Sequence, residues 1–167
     1  MDSKEEILKK VYEKAYKYEA EIGSCPQCVY SAIMEVLDIG DKSVVKASDA
    51  LAGGTCLSTE GTCGALVGGL MAISSIAGRS YEDFKKGETK RRVFQHSKKL
   101  CDRFKQEYGS IVCKDIHKKL FGRTFNLMDK NDYEEFERMG GHVDKCPEVS
   151  GKTACWAAES ILDIIKE

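Results

Sequence analysis

The cysteines are the residues of this sequence best suited to chemistry. There are eight in 167 residues, and they fall into four neighbourhoods along the chain. These are Cys25 with Cys28, Cys56 with Cys63, Cys101 with Cys113, and Cys146 with Cys155. A chain of this length buries roughly two thirds of its unfolded surface, so it does not need disulfides to hold its fold. We therefore expect chemistry from the cysteines rather than scaffolding.

Cys25 and Cys28 form a Cys-x-x-Cys motif at a predicted helix start, where Pro26 suits the first turn. This spacing places both sulfurs on one side of the helix start. The motif suits either disulfide exchange or metal ligation, and the spacing alone does not choose between them.

Cys63 stands between Gly61 and Gly64 at the entrance of an apolar helix. Backbone N–H groups and the helix dipole at such a position are expected to lower the pKa of a thiol. A thiol/disulfide mechanism then has Cys63 or Cys28 as the attacking thiolate and Cys25 and Cys56 as resolving partners. The alternative is that Cys63 is a small buried apolar residue.

Three glycines surround this cysteine and are candidates for contact with a cofactor: Gly61, Gly64 and Gly68. Gly64 and Gly68 lie four residues apart, on one face of the predicted helix. Glycine inside a helix costs roughly 1 kcal/mol relative to alanine, so close packing or a bound group must compensate for it. Their spacing leaves both explanations open.

Two histidines share a helical spacing of four with a cysteine. His117 follows Cys113, and His142 precedes Cys146. Each pair could bind one metal ion from a single helix face. Three histidines in a chain of this size are expected by chance, so we favour a structural or surface role for both.

The remaining pattern predicts helices throughout, and period-2 runs typical of strands are absent. We predict an all-α fold, a single-domain helical bundle over residues 1–167 with a Gly-rich, Cys-containing loop before a buried helix. The first predicted helix has Asp2 or Ser3 as its N-cap and runs to about Glu21. The others run from Pro26 to before Gly40, from Ser43 to Leu51, from Thr62 to beyond Ile73, from Glu88 to Tyr108, from Ser110 to Phe121, from Asp129 to Met139, and onward from Cys146, with Gly151 as a candidate interruption.

The same periodicity predicts which side chains face inward. The first helix should bury Ile7, Val11, Ala15, Tyr18 and Ile22, and the helix ending at Tyr108 should bury Val93, Phe94, Leu100, Cys101 and Phe104. Cys101 and Cys155 lie within such apolar patterns, which favours packing roles for both.

Charge and hydropathy exclude several classes of protein. Lys and Arg total 26 against 27 Asp and Glu, so no strong field attracts nucleic acid. The longest apolar stretch, Ala65–Ile76, is too short to span a bilayer. The charged N-terminal segment does not resemble a secretory signal, so we expect a cytoplasmic protein.

The octet Gly61–Gly68 resembles the signature of the C_GCAxxG_C_C family of redox-active proteins. The segments around Cys28, Cys113 and Cys146 resemble the other family cysteines, in the same order. The resemblance implies a small, mostly helical protein with four cysteines, Cys28, Cys63, Cys113 and Cys146, in a redox role.

Two mechanisms remain open for such a protein. One is thiol/disulfide exchange or electron transfer with a redox partner protein or a small thiol or disulfide. The other is binding of an iron–sulfur cluster or Zn, with Cys28, Cys63, Cys113 and Cys146 converging from separate helices as ligands. A third hypothesis is a helical interaction protein with reduced, buried cysteines. The cofactor is open between the two mechanisms, and so is association into a homodimer.

Overall fold

The structure, a computed structural model, describes residues 2–167, and its regular elements are helices. The helices are α1 (Lys4–Glu21), α2 (Cys25–Leu37), α3 (Lys42–Ala47), α4 (Gly64–Ala77), α5 (Tyr81–Lys85), α6 (Arg91–Tyr108), α7 (Cys113–Phe121), α8 (Lys130–Arg138) and α9 (Cys146–Lys166). A 3₁₀ turn follows α3 at Asp49–Leu51, and a π-helical turn, Gly141–Lys145, leads into α9. The all-α prediction is confirmed, whereas the assignment of the chain to one domain stays a prediction.

Helix α1 begins at Lys4, and its N-cap is Ser3, one of the two candidates from sequence, because Ser3 and Glu6 form a reciprocal cap. The Ser3 hydroxyl accepts the Glu6 N–H at 3.2 Å, and the Glu6 carboxylate accepts the Ser3 N–H at 2.7 Å. The predicted burial of Ile22 is wrong, since the helix ends at Glu21 and Ile22 is 74% exposed. The buried face instead continues from Val11 and Ala15 to Glu19, which is only 2% exposed.

Helices α2 and α4 pack with little space between them, and the two glycines of α4 make this possible. An ideal Cβ on Gly64 would overlap the Cys25 sulfur and would lie 2.8 Å from Cδ of Pro26. On Gly68, a Cβ would lie 2.5 Å from the Pro26 carbonyl oxygen. Close packing therefore explains both glycines, one of the two alternatives that their spacing allowed.

Helix α9 packs against α1, α2 and α4 and forms the centre of the fold. Gly151 does not interrupt it, because this glycine faces the Tyr12 ring of α1 at a distance that leaves no room for a Cβ. In α6, Val93 and Leu100 are buried, but the predicted burial of Phe94 is wrong: it is 70% exposed. Successive residues of a helix point in different directions, so Val93 and Phe94 cannot share one face.

The Gly-rich loop before α4 is irregular, as predicted. Gly53 and Gly54 both have positive φ, and so do four non-glycine residues of the loop. Among residues 2–167, no helix is long and apolar enough to cross a membrane.

Candidate functional site

Four cysteines line one cavity of about 480 Å³, and each comes from the start of a different helix. Cys25, Cys113 and Cys146 are the first residues of α2, α7 and α9, and Cys63 is the N-cap of α4. At the start of α4, the backbone N–H groups of Ala65 and Leu66 donate to the Cys63 sulfur. At α7, the Cys113 and Lys114 N–H groups instead donate to the Gly61 and Thr59 carbonyls. Helix α9 continues from the π-helical turn, and the Cys146 N–H donates to the Gly141 carbonyl.

A short backbone bridge brings Cys63 and Cys113 together. The Cys63 N–H donates to the Ile111 carbonyl at 2.7 Å, and the Cys113 N–H donates to the Gly61 carbonyl at 2.9 Å. Thr62 and Val112 are the bridged pair between them. Cys63 and Cys113 are thus diagonal neighbours on one face of the bridge, a relationship that typically separates Cα atoms by about 7–8 Å.

Burial raises the pKa of all four cavity thiols. The pKa rises to about 12 for both Cys63 and Cys113, and negative charge on the neighbouring thiols adds to the effect. The backbone N–H groups of Ala65 and Leu66 lower the pKa of Cys63, but burial is the larger effect. The predicted lowering of the Cys63 pKa is therefore wrong, although the helix-start contribution behind it is present.

The other two predicted catalytic cysteines lie elsewhere, and the described cavity wall contains neither. Cys28 lies one turn further along α2, where it is buried and its thiol donates to the Gly23 carbonyl at 2.8 Å. Cys56 is exposed in the Gly-rich loop. Cys25 thus occupies the place in the cavity that the sequence pattern assigned to Cys28. All eight cysteines are free thiols.

The profile of one protein family, described as "Putative redox-active protein (C_GCAxxG_C_C)", matches residues 23–160. The chain belongs to the C_GCAxxG_C_C family. The matched range includes all four cavity cysteines, and the family description supports a redox role in general terms. No curated protein and no solved structure matches the chain.

This C_GCAxxG_C_C protein also has a partly buried ionic network on the cavity wall. Glu19 accepts a hydrogen bond from Ser150 at 3.1 Å, and its carboxylate lies 3.6 Å from Nε2 of His142. Nδ1 of the same imidazole pairs with Glu137. These contacts, led by the one with Glu19, raise the pKa of His142 to about 8 although burial opposes the shift.

Glu19 was not among the residues predicted from sequence, and His142 was predicted to have only a structural or surface role. One signal was available: Glu19 lies four residues after Ala15, which itself lies four after Val11, so it falls on the buried face of α1. The half-buried position of His142 follows from the π-helical turn before α9, for which a single sequence offers no comparable pattern.

His117 lies beside Cys113, as their spacing predicted, and it is only 3% exposed. Its Nε2 atom lies 3.6 Å from the Cys113 sulfur. The ring stacks on Phe136 and meets the edges of Phe121 and Phe125. Burial lowers the pKa of His117 to about 4, so its imidazole is neutral at physiological pH.

The structure brings the cysteines around a shared cavity rather than into a compact ion site. Within residues 2–167, no three His, Cys, Asp or Glu side chains lie close enough to hold one metal ion.

Proposed function

We propose that this protein transfers electrons through an iron–sulfur cluster held by Cys25, Cys63, Cys113 and Cys146. The convergence on one cavity of four cysteines, each from the beginning of a different helix, carries the proposal. A cluster bound by four thiolates is negatively charged, and the Ala65 and Leu66 N–H groups at the start of α4 would stabilise that charge at Cys63. Such a cluster would supply reversible one-electron chemistry.

The chemistry of the donor set favours iron and sulfide over zinc. Thiolates select zinc, copper(I) and iron–sulfur clusters among biological metals. Zinc has no redox chemistry of its own, whereas the family description is of a redox-active protein. In a cluster, sulfurs on opposite sides ligate different irons, which suits thiols spread around a cavity.

Glycines make room for two of the four cysteines. Besides Gly64 beneath the Cys25 sulfur, Gly54 lies against Cys113, and a Cβ there would lie 2.6 Å from that of Cys113. The Gly-rich loop and the family octet therefore hold these cysteines at the cavity wall. This favours Cys25 over Cys28 as the ligand from α2.

The second candidate is thiol/disulfide exchange by Cys63 and Cys113 with a small thiol, a small disulfide or a redox partner protein. Their placement on one face of the backbone bridge brings the two thiols near each other, which favours it. A Cα separation of about 7–8 Å nevertheless exceeds the range usual for a disulfide, so the backbone would have to move before the bond could form. Oxidation of this pair would form one S–S bond and release two protons and two electrons to a disulfide acceptor, which becomes two thiols. Their raised pKa values oppose it, because the thiolate is the nucleophile in exchange.

A panel of Cys→Ser variants tests the proposal. After anaerobic loading with ferrous iron and sulfide, the wild-type protein should develop broad visible absorbance. Serine at position 25, 63, 113 or 146 should abolish or change the spectrum, whereas Cys28→Ser, Cys56→Ser, Cys101→Ser and Cys155→Ser serve as matched controls.

Three results would contradict the proposal. A colourless loaded protein would exclude the cluster. Loss of the spectrum in Cys28→Ser but not in Cys25→Ser would exclude the proposed ligand set. A reversible loss of two hydrogens at Cys63 and Cys113 after mild oxidation, without any cluster, would establish the second candidate.

A further inference from the structure

We infer that His117 donates its Nε2 proton to the Cys113 sulfur and thereby raises the reduction potential of the site. The effect on the potential rests on the proposed cluster, but the hydrogen bond itself does not. His117 acts through Cys113, which makes it a positioning residue rather than a catalytic one.

The surroundings of the two ring nitrogens indicate where the proton lies. Nε2 of His117 lies 3.6 Å from Sγ of Cys113, within hydrogen-bond range for sulfur. Nδ1 is buried and has no hydrogen-bond partner in the described structure. A proton on Nδ1 would be a buried donor without an acceptor, which is rare and costly. A proton on Nε2 instead meets the sulfur.

The opposite arrangement, with the thiol donating to Nε2, would place the imidazole proton on Nδ1, where the described structure offers no acceptor. It also becomes unavailable once Cys113 is a thiolate ligand, since the sulfur then has no proton. The imidazole must donate in that state.

Packing fixes the ring in this orientation. The centroid of Phe136 lies 5.3 Å from that of His117, with the rings nearly parallel, and Phe121 and Phe125 approach edge-on at 5.5 and 5.7 Å. These three rings offer no strong hydrogen-bonding group. The contact with Cys113 is therefore the polar interaction that the side chain keeps.

The direction of the effect follows from charge. Reduction adds an electron to the site and increases negative charge on the ligating sulfurs. An N–H donor stabilises the more negative state more strongly, so the hydrogen bond raises the reduction potential. Removing the donor should shift the potential to a more negative value.

The tautomer can be measured directly in the metal-free wild-type protein. Long-range ¹H–¹⁵N correlation spectra of histidine-labelled protein should show a protonated Nε2 and an unprotonated Nδ1 for His117. A proton on Nδ1, or an imidazolium at neutral pH, would overturn the inference. Both protonation states can be measured whether or not the protein binds a cluster.

Three variants test the consequence for the sulfur. Without the donor, His117→Phe should slow alkylation of Cys113 by iodoacetamide about tenfold in metal-free protein, because less thiolate forms. His117→Gln, which retains an N–H donor, should recover part of the rate. Phe121→Leu, which loosens the same aromatic packing but keeps the donor, should leave the rate near wild type.

In cluster-loaded protein, His117→Phe should have a more negative reduction potential than wild type, and Phe121→Leu should not. Equal alkylation rates and equal potentials in wild type and His117→Phe would overturn the inference. If no cluster forms, the tautomer and alkylation results still decide whether the hydrogen bond exists, so failure of the proposed function is distinguishable from failure of this inference.

Discussion

The sulfur of Cys25 occupies the space that a Cβ on Gly64 would fill. This contact joins the start of α2 to the first turn of α4 and sets the position of one cavity thiol. A glycine of the family octet therefore leaves room for the side chain of a cysteine that lies 39 positions earlier in the chain.

Gly64→Ala should destabilise the protein by about 1–3 kcal/mol, because the added methyl group overpacks the contact with Cys25 and Pro26. The loss should appear although alanine is the better helix former. Urea unfolding measures it, with Ser74→Ala on the exposed face of α4 as the control. The penalty should shrink in a Cys25→Ala background. Unchanged or increased stability in Gly64→Ala would contradict this packing.

The eight thiols should differ in their reaction with an alkylating reagent at neutral pH. Cys56 is exposed and should react first, whereas Cys28, Cys63 and Cys113 are buried and have raised pKa values. Timed alkylation followed by peptide mass spectrometry gives the order. Early labelling of Cys63 would show that its thiol is more exposed or more acidic than the structure describes.

The stability of the metal-free protein should fall as pH rises from about 6.5 through 8, because of His142. Its folded pKa, about 8, lies above the ordinary value of 6.5, so the charged imidazole stabilises the folded state below that range. The stabilisation, about 2 kcal/mol at most, is lost as the proton leaves. Urea midpoints across this range should show the decline in wild type and not in His142→Gln. Glu19→Gln should lower the His142 pKa, as read by NMR titration.

His117 should make the stability of the protein decrease as pH falls, whereas His142 makes it decrease as pH rises. The folded pKa of His117, about 4, lies below 6.5, so the unfolded chain binds this proton first as pH falls. Stability should therefore decrease between pH 6.5 and 4, and this part of the decrease should disappear in His117→Phe. If the variant and wild-type midpoints fall in parallel over this range, burial of a neutral His117 is not their cause.

Most of the fold could be predicted from sequence, because helix periodicity and helix-ending signals are local. Ser3, Pro26 and Gly109 lie at helix ends where expected, and the paired glycines of α4 indicated a close neighbour. Errors arose at Ile22 and Phe94, where an apolar residue next to the buried face was assigned to it. Periodicity gives a helical face only to within about one residue.

The site was less predictable, because its geometry depends on contacts between segments distant in the chain. Cys63, Cys113 and Cys146 do line the cavity, yet Cys25 replaces Cys28 there because only packing on Gly64 decides which sulfur of the motif faces α4. The sign of the thiol pKa shift also depended on burial, which a helix start alone does not determine. Glu19 was missed because a carboxylate on an otherwise apolar face looks like an exception until its partners are known.

The proposed cluster is tested most directly by the iron and acid-labile sulfide content of the anaerobically prepared wild-type protein, together with its response to dithionite. If Cys25, Cys63, Cys113 and Cys146 hold a cluster, iron and sulfide should be present in equal amounts, and the visible spectrum should bleach on reduction and return on reoxidation. Protein without iron or sulfide, or iron whose spectrum does not change on reduction, would contradict the proposal.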